Sequence, residues 1–278
     1  MTESQLSLLR RHGIRPVKRR GQNFLVDGNL ARAIATDVVA LGGEVLELGA
    51  GGGALTVHLL DLGARVLAVE VDRNLCAVLT AEYGDHAGFT LREDDLARLD
   101  WTGVIAAAGA RPVVAGNLPY VLTSKVLFAL ADRQQDVAGA VLMVQKEVAE
   151  RLVARPGGRD YGVLAVVMGS LFHITMQRTV PATVFWPQPD VASAVVRLTP
   201  GEPWPADEYA RFLGVVKTLF QQRRKQLASS LRARYGLDDA AVADLAERVG
   251  FDPSQRPEQL DAACWRRLAA ALPGEAPA

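Results

Sequence analysis

The tetrapeptide Asn117-Leu118-Pro119-Tyr120 brings together residue types suited to handling an aromatic amine. The exocyclic nitrogen of adenine is a poor nucleophile because its lone pair is delocalised into the ring. A catalyst for its alkylation must therefore favour the pyramidal nitrogen that forms during attack. The side-chain oxygen of Asn117 and the carbonyl of Leu118 can accept the amine protons and turn the lone pair toward a methyl donor for in-line displacement. Pro119 fixes the turn, lacks a donor N–H and holds the residue before it extended, which aims that carbonyl. Tyr120 can stack on a base, worth ~1–3 kcal/mol per stacked base. Alone, the tetrapeptide reads equally well as a strand-ending Asn-x-Pro turn with a core tyrosine. Its neighbours decide.

Upstream, Val45-Leu46-Glu47-Leu48-Gly49-Ala50-Gly51-Gly52-Gly53-Ala54 runs from a strand through a glycine turn into a helix, so bare backbone can approach a nucleotide-like ligand. Glu70 ends the next strand about twenty residues later, where a carboxylate can accept ribose hydroxyls. Gly49, Gly51 and Ala54 also fit the dinucleotide pattern GxGxxA, so the loop alone leaves NAD open. Three features favour S-adenosylmethionine (SAM). Glu47 precedes the glycines, where a carboxylate would repel a pyrophosphate. Asp94-Asp95 closes the third strand, and Asp95 is the better placed to accept an adenine amino group. The fourth strand then runs straight into Asn117, beside the presumed methyl.

The elements that must hold these residues follow from the apolar pattern. Short Val/Leu-rich runs at Glu44–Leu48, Arg65–Glu70, Phe89–Glu93, Pro112–Gly116 and Gly139–Gln145 predict strands. Ala54–Leu62, Arg73–Tyr83 and Ser124–Asp132 have helical spacing between them. This is an α/β pattern, a doubly wound parallel sheet covered on both faces. Tyr161–Phe172, Ile174–Val180 and Ala192–Leu198 read as further β-like stretches. The Pro/Gly-rich segment Thr199–Pro205 is the linker candidate. Beyond it Asp207–Phe220, Arg223–Tyr235, Asp238–Val249 and Pro257–Ala271 predict a small all-helical domain. The expected division is 1–200 for the catalytic domain, with 1–43 as a basic, cofactor-covering segment, and 206–278 for the helical domain.

Composition narrows the partner. The 278 residues carry 31 basic and 31 acidic side chains, so no net charge draws the chain to a polyanion. Distribution argues otherwise. Arg10, Arg11, Arg15, Lys18, Arg19 and Arg20 form one acid-free cluster, and Lys217, Arg223, Arg224, Lys225, Arg232 and Arg234 form another. Guanidinium groups grip phosphate through a bidentate fork. Cys76 and Cys264 lack metal-ligand or disulfide spacing and read as buried apolar residues. None of His12, His58, His86 and His173 falls in a motif, so no metal and no general base are expected. No signal core and no apolar run near ~20 residues is present, so a cytoplasmic protein with no membrane partner is expected, acting as a monomer.

Taken together, Gly21-Gln22-Asn23-Phe24-Leu25, Glu47 to Gly51, Glu70-Val71-Asp72, Asp95, Asn117 to Tyr120, Phe185 to Val191 and Phe220 to Lys225 carry a resemblance. Over nearly its whole length the chain resembles the bacterial 16S rRNA adenine N6,N6-dimethyltransferases, themselves similar to the macrolide-resistance 23S rRNA adenine methyltransferases. The resemblance implies a Rossmann-like class I methyltransferase domain that uses SAM and releases S-adenosylhomocysteine. It implies that Asn23, Leu25, Gly49, Gly51, Glu70, Asp95 and Asn117 line the cofactor site. Asn117, Leu118, Pro119 and Tyr120 with Phe185 would hold the target adenine, Phe185 as a second stacking face. Arg223, Arg224 and Lys225 would contact RNA, and the partner would be 16S rRNA in the small ribosomal subunit. The chain departs from the family pattern at Val121, where a polar residue is usual, and at Trp186, where a smaller one is. Three alternatives remain: methylation of 23S rRNA, an RNA-binding assembly role without catalysis, and an NAD-dependent oxidoreductase.

Overall fold

The structure, a computed structural model, describes residues 4–17 and 21–273; Lys18, Arg19 and Arg20 of the first basic cluster lie outside the described residues. The chain opens with α1 (Gln5–Arg11), the short strand β1 (Phe24–Leu25) and α2 (Gly28–Val39). An alternating series follows: β2 (Glu44–Leu48), α3 (Thr56–Asp61), β3 (Arg65–Glu70), α4 (Arg73–Tyr83), β4 (Phe89–Glu93) and α5 (Trp101–Ala108). It continues through β5 (Val113–Asn117), α6 (Thr123–Asp132), β6 (Gly139–Gln145) and α7 (Lys146–Leu152). After α8 (Val163–Leu171) come β7 (Phe172–Val180), β8 (Phe185–Trp186) and β9 (Ser193–Pro200). The chain ends in α9 (Ala206–Phe220), α10 (Leu227–Tyr235), α11 (Asp239–Val249) and α12 (Ala262–Ala271).

Aspartates punctuate this order. Asp27, Asp72, Asp100, Asp238 and Asp261 each stand just before a helix and accept a backbone N–H from its first turn. Each satisfies a donor the helix cannot, worth ~1 kcal/mol. Four of the sheet's central pairings are parallel, β4-β3-β2-β5-β6, and β9 then runs antiparallel to β6 with β7 beyond it. Strands β2, β3, β5 and β6 are buried on both faces, which is why they read as near-continuous Val/Leu/Ala runs, while the edge strand β4 is partly exposed. Because β2, β3, β4 and β5 are parallel, Leu48, Glu70, Glu93 and Asn117 all end at one edge of the sheet.

Two compact units divide the chain: 1–149 with 174–200, and 150–173 with 201–278. The C-terminal helices from 201 onward share their unit with 150–173. The reason lies in Tyr161–Phe172, expected to be β-like and in fact the helix α8. Its apolar run is buried almost all round, with Ala165, Val166, Val167, Met168 and Leu171 inside. A segment with so few polar residues carries no period to separate a buried helix from a buried strand. The helical unit closes around Trp265 and Phe212, both fully buried, with Trp265 stacked on Phe220 at 5.3 Å and Phe212 against Trp204 at 4.8 Å. Arg223–Gln226, expected inside a helix, is a turn that precedes α10.

Candidate active site

The glycine loop after β2 is held from two sides. Gly49 and Ala50 donate to the Val69 carbonyl, at 2.8 and 3.3 Å, and the Gly51 N–H donates to Glu70 Oε2 at 2.9 Å. Gly49 and Gly51 take φ of +68° and +59°, which glycine adopts most cheaply, and a Cβ on Gly51 would meet the Phe24 ring in ordinary van der Waals contact at 3.4 Å. Phe24 belongs to β1, which pairs antiparallel with β8, so the Gln22-Asn23-Phe24-Leu25 segment is pinned above the strand ends. The result is a cavity whose walls include Asn23, Leu25, Gly49, Gly51, Glu70, Asp95 and Asn117, and also Leu118, Pro119 and Tyr120. Residues spread over nearly a hundred positions converge on one site.

The carboxylates differ in their surroundings. Glu70 Oε1 accepts from the Val71 and Asp72 N–H groups at 2.9 and 3.0 Å, so both of its oxygens anchor backbone. With about four lone-pair sites in all, such a carboxylate retains room for one further donor. Burial raises its pKa, opposed by those backbone bonds. Glu47 is only 2% exposed and accepts from Thr56 Oγ1 at 2.7 Å. Burial pushes its carboxyl up to about 8, despite the Thr56 bond and aided by nearby Glu70. A neutral Glu47 repels a pyrophosphate less than the sequence argument assumes. Of the aspartate pair, Asp94 turns away to pair with Arg92 at 3.0 Å while Asp95 faces the cavity, its Oδ1 holding the Ala97 N–H at 2.8 Å.

The tetrad carries its own restraints. Asn117 Nδ2 donates to the Asn23 carbonyl at 2.9 Å, and because a carbonyl only accepts, this bond fixes which amide atom points where. The Asn117 oxygen is left for the cavity. Leu118 donates its N–H to Met143 at 3.2 Å, and its carbonyl accepts no hydrogen bond from the described residues. Pro119 sits at φ −55° before a single 3-10 turn, Tyr120–Leu122. The Tyr120 hydroxyl shares a hydrogen bond of 2.9 Å with the buried Ser193 hydroxyl, steadying the ring. Val121 projects into solvent beside it, 84% exposed.

Phe185 does not join this group. It is 4% exposed, pairs with Leu25 across β1 and β8, and packs among Leu25, Ile34 and Val195 in the core rather than lining the cavity. In this structure its ring is buried in the core cluster. The neighbouring Trp186 instead stacks on Phe24 at 6.2 Å. Of the expected RNA contacts, Arg223 is half-exposed and paired with Glu258 and with the Arg159 carbonyl, the latter at 2.6 Å, while Arg224 and Lys225 are exposed. Sequence reasoning missed Gln5, Gln22 and Leu75 at the cavity.

The ribosomal RNA adenine dimethylase model matches residues 15–251. The chain belongs to that family. Curated relatives agree: the ribosomal RNA small subunit methyltransferase A of Anaeromyxobacter sp. (strain K) is 44% identical over 95% of this chain and 96% of its own. The protein of that name from Pseudomonas aeruginosa is 38% identical over 92% and 96%. Among solved structures, the 23S rRNA methyltransferase ErmE superposes with a TM-score of 0.68 at 26% identity, over 90% of this chain and 99% of that one. A Plasmodium falciparum dimethyladenosine transferase shares the fold, with a TM-score of 0.67 at 23% identity over 85% and 93%.

As a ribosomal RNA adenine dimethylase the chain is an SAM-dependent transferase with ribosomal RNA as its substrate. The cavity fits that cofactor: a side-chain-free cradle at Gly49 and Gly51, carboxylates at two strand ends for polar hydrogens, and apolar walls between. When bound, SAM supplies an electrophilic methyl on a sulfonium. The Asn117 oxygen at the cavity wall is an acceptor already oriented by the Nδ2 bond to Asn23. Among the described residues no group of His, Cys, Asp and Glu could hold a metal, and no helix is long and apolar enough to cross a membrane.

Proposed function

We propose that the chain dimethylates the N6 amines of two adjacent adenines in the 3′-terminal hairpin of 16S rRNA, within the small ribosomal subunit, and so contributes to subunit maturation. The observation that carries this reading is the anchored amide of Asn117, whose nitrogen is tied to the Asn23 carbonyl. That leaves its oxygen as an acceptor beside the Leu118 carbonyl, the pair an adenine amine needs as its nitrogen turns pyramidal. Asn23, Leu25, Gly49, Gly51, Glu70 and Asp95 hold the cofactor, Pro119 aims the carbonyl, and Tyr120 stacks on the base. Arg224 and Lys225 meet the RNA backbone, with Arg223 bracing them.

The small-subunit target is supported by relatives of 38–44% identity whose names state it, against 26% for ErmE. The likeness to ErmE extends over 90% of the chain and keeps 23S rRNA as the second reading. The test is transfer of labelled methyl groups from SAM to small and large subunits that lack the modification, with native protein and Asn117→Ala. Label in small-subunit RNA, reduced by about 10²–10³ in the variant as for loss of one fixed transition-state hydrogen bond, supports the reading. Label confined to large subunits refutes it.

A further inference from the structure

The first helix packs against the glycine loop at Gly52. Gly52 has no positive φ, so its lack of a side chain answers to space and not to backbone conformation. A Cβ there would lie 2.3 Å from Gln5 Nε2 and 2.6 Å from Leu9 Cδ2, both on α1. Leu9 is fully buried in a small cluster with Phe24 and Leu75, and these two also line the cofactor cavity. At its far end α1 is tied to α4: Glu82 accepts from Arg11 Nη2 at 3.0 Å and shares a 2.7 Å hydrogen bond with His12 Nε2. The helix is therefore seated on the loop by packing at one end and by charge at the other.

Gln5 is the polar residue this seating carries into the cavity. It lines the wall, and its Nε2 is inaccessible to solvent and has no hydrogen-bond partner in the protein. A buried amide N–H without an acceptor is costly, and native proteins rarely leave one so unless a ligand or water completes it. Gln5 lines the cavity while Leu9 and the Gly52 backbone close in on its Nε2, so the unpartnered donor lies at the cavity wall.

We propose that Gln5 contacts the cofactor: α1 closes the site over Gly52, and the Gln5 amide donates to an acceptor oxygen of SAM. This rests on the cavity being the SAM site, so the test first measures that. Calorimetry with S-adenosylhomocysteine on the native protein must show binding; no binding by native protein would refute the site and not Gln5. Given native binding, Gln5→Ala is expected to raise Kd about tenfold, the size of a hydrogen bond to a polar or charged acceptor. Gln5→Glu, equal in size but without the donor, is expected to lose at least as much. In methyl transfer both variants should raise KM for SAM and leave kcat at saturation unchanged. Melting of the ligand-free variants at the native temperature excludes a merely structural effect. A Kd within about twofold of native for both variants overturns the proposal.

Discussion

Glu47 is where burial and charge conflict most sharply. In the unfolded chain its carboxyl ionises near the ordinary 4.5, and in the folded protein burial raises that to about 8. Between those values the folded protein keeps a proton that the unfolded chain has released. Stability is thus greatest below the lower value, falls as pH rises through the window and levels off above the upper one. Glu47→Gln keeps the shape and the Thr56 hydrogen bond without the charge. Its ligand-free melting temperature should exceed that of native protein at about pH 9 and converge with it near about pH 5. Equal melting at both would mean that Glu47 ionises normally. Phe185 invites the opposite kind of experiment. As a buried ring its truncation to Ala is expected to cost ~3–5 kcal/mol of stability, read as a lower melting temperature. Unchanged melting with lost methyl transfer would return it to the target base.

At the level of elements, what was legible depended on contrast. The strands Glu44–Leu48, Arg65–Glu70, Phe89–Glu93 and Gly139–Gln145 coincide with the expected runs because glycine or polar turns bound them on both sides. The helices α4 and α6 were legible for the same reason, with an amphipathic spacing that no strand shares. Tyr161–Phe172 was not, because α8 is mostly buried and Ser170 is the one polar residue in its sequence, too little to set a period. α1 and β1 escaped notice for a different reason. Seven residues of helix and two of strand are too short to show a period, and each is stabilised by what it packs on: Gly52 for α1 and β8 for β1. The cavity was legible almost completely, since Gly49, Gly51, Glu70, Asp95 and Asn117 all mark strand ends and parallel topology gathers strand ends at one edge. The placement of Phe185 was not legible, because two aromatics in sequence, one buried and one partly exposed, give no sign of which packs into the core.

For the whole molecule, the equal numbers of basic and acidic residues mean that RNA affinity must come from local clusters. In the helical unit the structure separates two kinds of arginine that the sequence does not distinguish. Arg223 is spent on Glu258 and the Arg159 carbonyl, Arg232 on Asp239 and Arg234 on Gln221, whereas Arg224 and Lys225 stand exposed on the turn before α10. Arg224→Ala with Lys225→Ala is expected to weaken binding to small-subunit RNA and to lower the salt dependence of log Kd by about 0.7–0.9 per lost phosphate contact. Arg223→Ala should instead lower the melting temperature. A full-strength salt slope in the double variant would remove this turn from the RNA interface. The central claim, an anchored asparagine presenting an acceptor to an adenine amine of small-subunit RNA, is tested most directly by mass spectrometry of the RNA product. Native protein, SAM and unmodified small subunits should yield N6,N6-dimethyladenosine at adjacent positions near the 16S 3′ end, and Asn117→Ala almost none. Dimethyladenosine found only in 23S RNA, or formed equally by the variant, would contradict it.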